Sequence, residues 1–142
     1  MHFFWVEDEK YLVIRLDQGD FLLEGIEEAA RQAGLTDGYV ASCIGTLDIV
    51  RMHLVMTTGY PAVESFPTFA GPFELNSLDG ILAGGKLHGH MMITDAEKSY
   101  GGHLEPGTRV LYLAEIVIRR FKDVKMQRIP NKNDIYQLVE ED

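Results

Sequence analysis

The chain has 142 residues, of which 46% are hydrophobic and 25% charged. That length suits one domain over 1–142, and folding buries roughly two-thirds of the unfolded surface, so a core needs no staples. The net charge is −9, from 22 acids against 13 bases, which repels polyphosphate and argues against strong non-specific nucleic-acid binding.

The opening "MHFFWVEDEK" lacks a basic n-region and a long apolar run, so a first strand is expected there, not a secretory signal. No segment reaches the ~20 apolar residues of a membrane-spanning helix, and no membrane partner is expected. "FFWV" and "YLVIRL" flank the polar "EDEK" and predict a hairpin. The clearest helix spans about residues 20–34, with Asp20 as N-cap and Gly34 as its stop. Leu23, Ile26, Ala30 and Ala33 recur on it at helical spacing.

Strands are expected from there on. "GYVASCIGTLDIVRMHLVM" predicts one long or two successive strands, bent at Gly45, with Cys43 as a buried, inert thiol. A single cysteine excludes an internal disulfide and a cysteine-rich zinc site, and fits a reducing cytoplasm. "TTGYPAVESFPTFAG" predicts a loop with a short strand. "PFELNSLDGILAGG" predicts a strand up to a turn at Asp79-Gly80. "KLHGHMMITD" and "SYGGHL" predict two strands around "AEK", and "RVLYLAEIVIRRF" a long strand buried on both faces for most of its length. "DIYQLVEED" closes the chain. One helix and many hairpin-ordered strands predict an α+β fold with a largely antiparallel sheet.

Residues 119–132 carry six bases, Arg119, Arg120, Lys122, Lys125, Arg128 and Lys132, against the single acid Asp123. They are the candidate contacts to DNA, against the simpler expectation of a solvated strand and turn.

His88 and His90 share a strand face, because side chains alternate. Leu87, Met91 and Ile93 then face apolar packing. A turn centred on Ala96-Glu97 would pair Thr94 with Ser99, Met92 with Gly101, and His90 with His103. Three imidazoles would converge on one face, which makes His88, His90 and His103 a candidate divalent-metal site, for zinc or a similar ion. A one-residue register slip would undo it. The alternative is that these histidines only hydrogen-bond backbone carbonyls or a neighbouring subunit. Gly89, Gly101 and Gly102 are expected to leave space for close backbone approach or a ligand.

Glu115 lies in "LYLAEIVI" with apolar residues on both sides, and a buried carboxylate is costly unless paired or protonated. It is a candidate metal ligand, general base or partner for Arg15. Glu74 in "PFELNS" is a second, less isolated candidate. A structural, hydrogen-bonded acid is the competing expectation for both. His2 and His53 are expected to be isolated, and Met52 and Met56 to belong to the core.

The segments "RLDQGDFLLEGIEEAARQAG", "GYVASCIGTL", "PFELNSLDGIL", "LHGHMMITDAEKSYGGHL" and "RVLYLAEIVI", in that order, resemble the PPC domain, the domain of plants and prokaryotes. The resemblance implies an α+β fold on an antiparallel sheet and assembly as a homotrimer. In plants the domain follows an AT-hook in nuclear DNA-binding regulators. No Arg-Gly-Arg-Pro core occurs in this sequence, so the chain resembles the stand-alone prokaryotic type. A Gly-Arg-Phe-Glu-Ile-Leu stretch in plant members contacts other transcription factors, and here it reads Gly71-Pro72-Phe73-Glu74-Leu75-Asn76. The family's histidines match His88, His90 and His103, and the fold looks like that of acetolactate decarboxylase, whose zinc is held by three histidines. Two functions are expected from this: a DNA-binding or regulatory homotrimer with a three-histidine metal site, or a zinc-dependent enzyme, lyase- or hydrolase-like, acting on a small molecule.

Overall fold

A computed structural model describes residues 1–141. Strand β1 (His2–Val6) turns through Glu7–Lys10 into β2 (Tyr11–Asp17), as the flanking apolar runs predict. Helix α1 spans Leu22–Gln32, inside the expected range. Its cap residue is Phe21 and no side chain caps it. Asp20 instead accepts the Asp17 N–H at 2.9 Å and pairs with the terminal ammonium at 3.1 Å, so the N-cap expectation is not met. Gly34 does end the helix: it takes φ +67, and the following Leu35 N–H returns to the Ala30 carbonyl at 2.8 Å.

The remaining elements are β3 (Gly38–Val55), β4 (Glu64–Ser65), β5 (Thr68–Ala83), β6 (Lys86–Thr94), β7 (Ser99–Leu104), β8 (Arg109–Arg120), β9 (Met126–Pro130) and β10 (Tyr136–Glu140). Every pairing is antiparallel. The order β1-β2-β8-β3-β5-β6-β7 makes one sheet, with β4 paired to β3 off this path. The end strand β7 also pairs with β3, so β3, β5, β6 and β7 close on themselves. Strands β9 and β10 form a separate hairpin. The fold is α+β and mostly antiparallel, as expected.

Helix α1 turns Leu22, Ile26, Ala29 and Ala30 onto the sheet, where they meet Leu12, Ile14 and Leu16 of β2 and Ile116 and Ile118 of β8 in one core. Burying such side chains supplies most of the stabilisation, at roughly 1.5–3 kcal/mol for each large one. Cys43 lies in this core, and burial pushes its thiol up to about 12, which leaves it inert.

Two expectations fail. There is no turn at Asp79-Gly80. Strand β5 runs on to Ala83, and Gly84-Gly85, both at positive φ, make the turn. Gly80 serves close approach instead: a Cβ there would lie 2.6 Å from the His88 carbonyl oxygen. Strand β8 is not buried on both faces. Helix α1 covers only one side, and Leu113 and Glu115 are exposed on the other.

Candidate metal centre

The turn between β6 and β7 is closed by Asp95, whose carboxylate accepts the N–H groups of Glu97 and Lys98 at 2.7 and 2.8 Å. These bonds hold the Asp95 carboxyl below its usual range. They also set the register. Thr94 pairs with Ser99, Met92 with Gly101 and His90 with His103, as the sequence predicts. Leu87, Met91 and Ile93 are buried on the opposite face and anchor β6 in the core.

The imidazoles of His88, His90 and His103 converge. Their ring centroids lie 5.4 Å apart for His88–His90, 5.0 Å for His88–His103 and 5.4 Å for His90–His103. A fourth imidazole joins them. His53, expected to be isolated, sits directly opposite His103 across the β3–β7 pairing, with ring centroids 5.7 Å apart. Its ring stacks on Phe66 at 4.8 Å. No local signal marks His53, because it is fifty positions from His103 and meets it only when β7 returns to β3.

Glu105 completes the cluster. His103 Nδ1 lies 2.9 Å from Glu105 Oε1, and His53 Nδ1 lies 3.9 Å from the same oxygen. Glu105 is itself held in place: its N–H donates to the Arg51 carbonyl at 3.1 Å, and the fully buried Thr108 hydroxyl donates to the Glu105 carbonyl at 3.1 Å. Ligand atoms of His53, His103 and Glu105 all lie within 4.8 Å of one another, a second set that could share an ion.

Two observations test whether these residues fit a metal. The buried Nε2 of His53 lies 3.2 Å from Glu64 Oε1, yet it makes no hydrogen bond there and has no partner among the described residues. Among the described residues, His103 alone of the four rings is hydrogen-bonded, to Glu105. That contact fixes a proton on Nδ1 and leaves Nε2 as the nitrogen free for an ion. Lost water contact, then the neighbouring His103, hold the His88 and His90 rings below their ordinary value, with Arg128 adding to the effect at His88. The shift favours the neutral ring, the form that binds metal. The donor set therefore fits a divalent ion of imidazole preference.

The histidines line an open cavity of about 1000 Å³, to whose wall the β9–β10 hairpin contributes. The candidate carboxylates do not reach it. Glu115 is exposed on β8, directly across from Arg15 of β2 and Ile44 of β3, so the expectation of a buried acid is not met. Its predicted neighbour Arg15 points its guanidinium at Asp17, 2.9 Å away. Glu74 is exposed and pairs with Thr94, four residues beyond His90, or roughly 13 Å along the strand. Glycines 89 and 102 turn out to serve packing: a Cβ on Gly89 would meet Leu78 Cδ1 at 2.8 Å, and one on Gly102 would meet Leu54 Cδ2 at 2.9 Å.

The six bases do not form one free stripe. Arg120 stacks on Trp5 at 4.1 Å and pairs with Glu9 at 2.8 Å. Arg128 lines the histidine cavity. Arg119 and Lys122 share a shallow surface with Glu7, Asp8 and Asp123, whose charges offset theirs. Among the described residues, no helix is long and apolar enough to cross a membrane.

The profile of the Plants and Prokaryotes Conserved (PCC) domain matches residues 6–122. The chain is 31% identical over 123 residues to the bifunctional protein GlmU of a Synechococcus strain, covering 86% of this chain and 18% of that protein. It spans about a fifth of that relative's length. Among solved structures, a metal-containing protein of Archaeoglobus fulgidus is 22% identical with TM-score 0.77, covering 98% of this chain and 97% of that one. A Bacteroides thetaiotaomicron chain provisionally labelled a DNA-binding protein is 15% identical with TM-score 0.80, covering 95% and 96%. At these identities the likeness concerns the fold.

Proposed function

The chain belongs to the Plants and Prokaryotes Conserved domain family, and on that premise we propose that it is a trimeric divalent-metal-binding member of it. His88, His90 and His103 are the ligands, and Glu105 holds the His103 ring. The observation that carries this is the convergence of three imidazoles, 5.0–5.4 Å apart by ring centroid, on one cavity. Three imidazoles with an open fourth position suit zinc or a similar ion. The metal-containing Archaeoglobus relative of the fold lends support. Loading untagged protein with zinc should give about one ion per chain, and less than about a tenth of a site overturns the reading.

Assembly as a trimer is supported by the family and by the uncovered sheet face. Phe4, Ile44 and Leu113 are exposed there, around the Arg15–Glu115 pair. Light scattering that finds only monomer would remove it.

DNA binding through Arg119, Arg120, Lys122, Lys125, Arg128 and Lys132 is the second functional reading. Its support is the DNA-associated side of the family. The engagement of Arg120 and Arg128 within the fold and the net charge of −9 weigh against it. DNA retention at low salt that falls steeply as salt rises is its expected signature. The zinc-enzyme reading has the cavity as its support, since about 1000 Å³ beside the histidines has room for a small molecule.

A further inference from the structure

The C-terminal hairpin lies beyond the residues the family profile matches, yet it forms a wall of the histidine cavity. Three contacts pin it there. The Met126 N–H donates to Asp37 Oδ1 at 2.9 Å, a buried acid that also takes the Gly84 N–H. The Tyr60 hydroxyl donates to the Asn133 carbonyl at the hairpin tip. Arg128 donates to the Lys86 carbonyl at 3.0 Å and to the Ile81 carbonyl at 2.8 Å.

Arg128 is the unusual member. Both of its hydrogen bonds go to backbone carbonyls and none to a carboxylate among the described residues. Its charge is therefore fixed in position and left without a counter-ion in contact. A guanidinium offers five N–H donors in a planar fork, so donors remain after these two bonds. The cavity wall is in part apolar, from Leu54, Val55, Ile135 and Tyr136. Arg128 bonds the carbonyls of Lys86 and of Ile81, which pairs directly with His88, so its guanidinium flanks the imidazoles, and a cation there in a partly apolar cavity suits a ligand with an anionic end and a short apolar body.

We propose that Arg128 anchors a small organic carboxylate in the histidine cavity, making the C-terminal hairpin the element that selects the ligand. A carboxylate matches the planar guanidinium edge through two oxygens. A phosphate dianion suits the cavity less, because Asp79, Glu64 and Asp134 also line it and repulsion grows with the ligand's charge. The inference rests on the metal-site reading only for the ligand's second anchor, and Arg128 acts with or without the ion.

Pyruvate serves as the probe, titrated calorimetrically into zinc-loaded and metal-free protein, with methyl pyruvate as the neutral control and inorganic phosphate as the competing anion. Saturable pyruvate binding is expected, weakened about tenfold to a hundredfold in Arg128→Met, the loss typical of a charge-assisted hydrogen bond. Methyl pyruvate should bind the wild type and the variant alike. Arg119→Met, which removes a distant charge, should leave pyruvate affinity unchanged. Equal pyruvate affinity in wild type and Arg128→Met, tighter phosphate than pyruvate binding, or no saturation by about 10 mM overturns the proposal. Should Arg128→Met fail to fold, Arg128→Lys and the wild-type contrast between pyruvate and its ester decide in its place. Protein that takes up no zinc but binds pyruvate through Arg128 refutes the metal reading and upholds this one.

Discussion

His103 offers its Nδ1 to Glu105 at 2.9 Å, so the ring that sits between His53 and His90 is oriented by a carboxylate two residues on, just past the end of its strand. The arrangement gives Glu105 the part of a positioning group and leaves the second ring nitrogen for an ion. Zinc competition titrations measure that part. Glu105→Ala should weaken zinc binding by about 10- to 100-fold. His103→Ala should abolish it. If Glu105→Ala and His53→Ala each cost as much as His103→Ala, while His88→Ala and His90→Ala cost nothing, the ion sits in the His53–His103–Glu105 set instead.

Gly102 keeps β7 close to β3. A Cβ there would meet Leu54 Cδ2 at 2.9 Å and the His53 carbonyl oxygen at 3.2 Å. Gly102→Ala should cost about 1–3 kcal/mol of stability through overpacking, read by urea denaturation. It should also separate His53 from His103. A variant as stable as wild type would show that the two strands have slack at this point.

Asp37 ties the start of β9 to the Gly84-Gly85 turn. It is only 4% exposed and accepts the Met126 and Gly84 N–H groups at 2.9 and 3.3 Å. Asp37→Ala leaves a buried N–H unpaired and should cost about 1–3 kcal/mol. Hydrogen exchange should show faster exchange at Met126 and along the β9–β10 hairpin, while the β2–β8 core stays protected.

The Asp95 turn predicts a pH dependence. Its bonds from the Glu97 and Lys98 N–H groups hold the folded carboxyl below the unfolded value near 3.8. A group depressed in this way adds stability that is fully present above the unfolded value and is lost as pH falls through the folded one. The melting temperature of wild type should therefore exceed that of Asp95→Asn by a constant margin from pH 5 to 7, and the margin should shrink below about pH 4. A margin that persists unchanged at pH 2 would mean that the charge of Asp95 does not hold the turn.

Much of the fold was legible in the sequence because its signals are local. The hairpin at "EDEK", the helix ending at Gly34 and the register placing His90 across from His103 depend on turn residues and on side-chain alternation within a few positions. The misread elements share a cause. Asp79-Gly80 looks like a turn in isolation, but the β6 backbone passes so close to Gly80 that only glycine fits within the strand. Glu115 looks buried among apolar neighbours, but its strand has a helix on one face only.

By itself, then, the sequence determined one helix, an antiparallel sheet and a hairpin with its histidines on a single face, since alternation and turn chemistry act over a few residues. Only the tertiary structure decided that β7 returns to β3 and brings His53 and Glu105 to the cluster. It likewise decided that Arg128 leaves the basic run for the cavity wall while Glu115 and Glu74 stay away from it. These are contacts between residues far apart in the chain, and they exist because the sheet closes around its core.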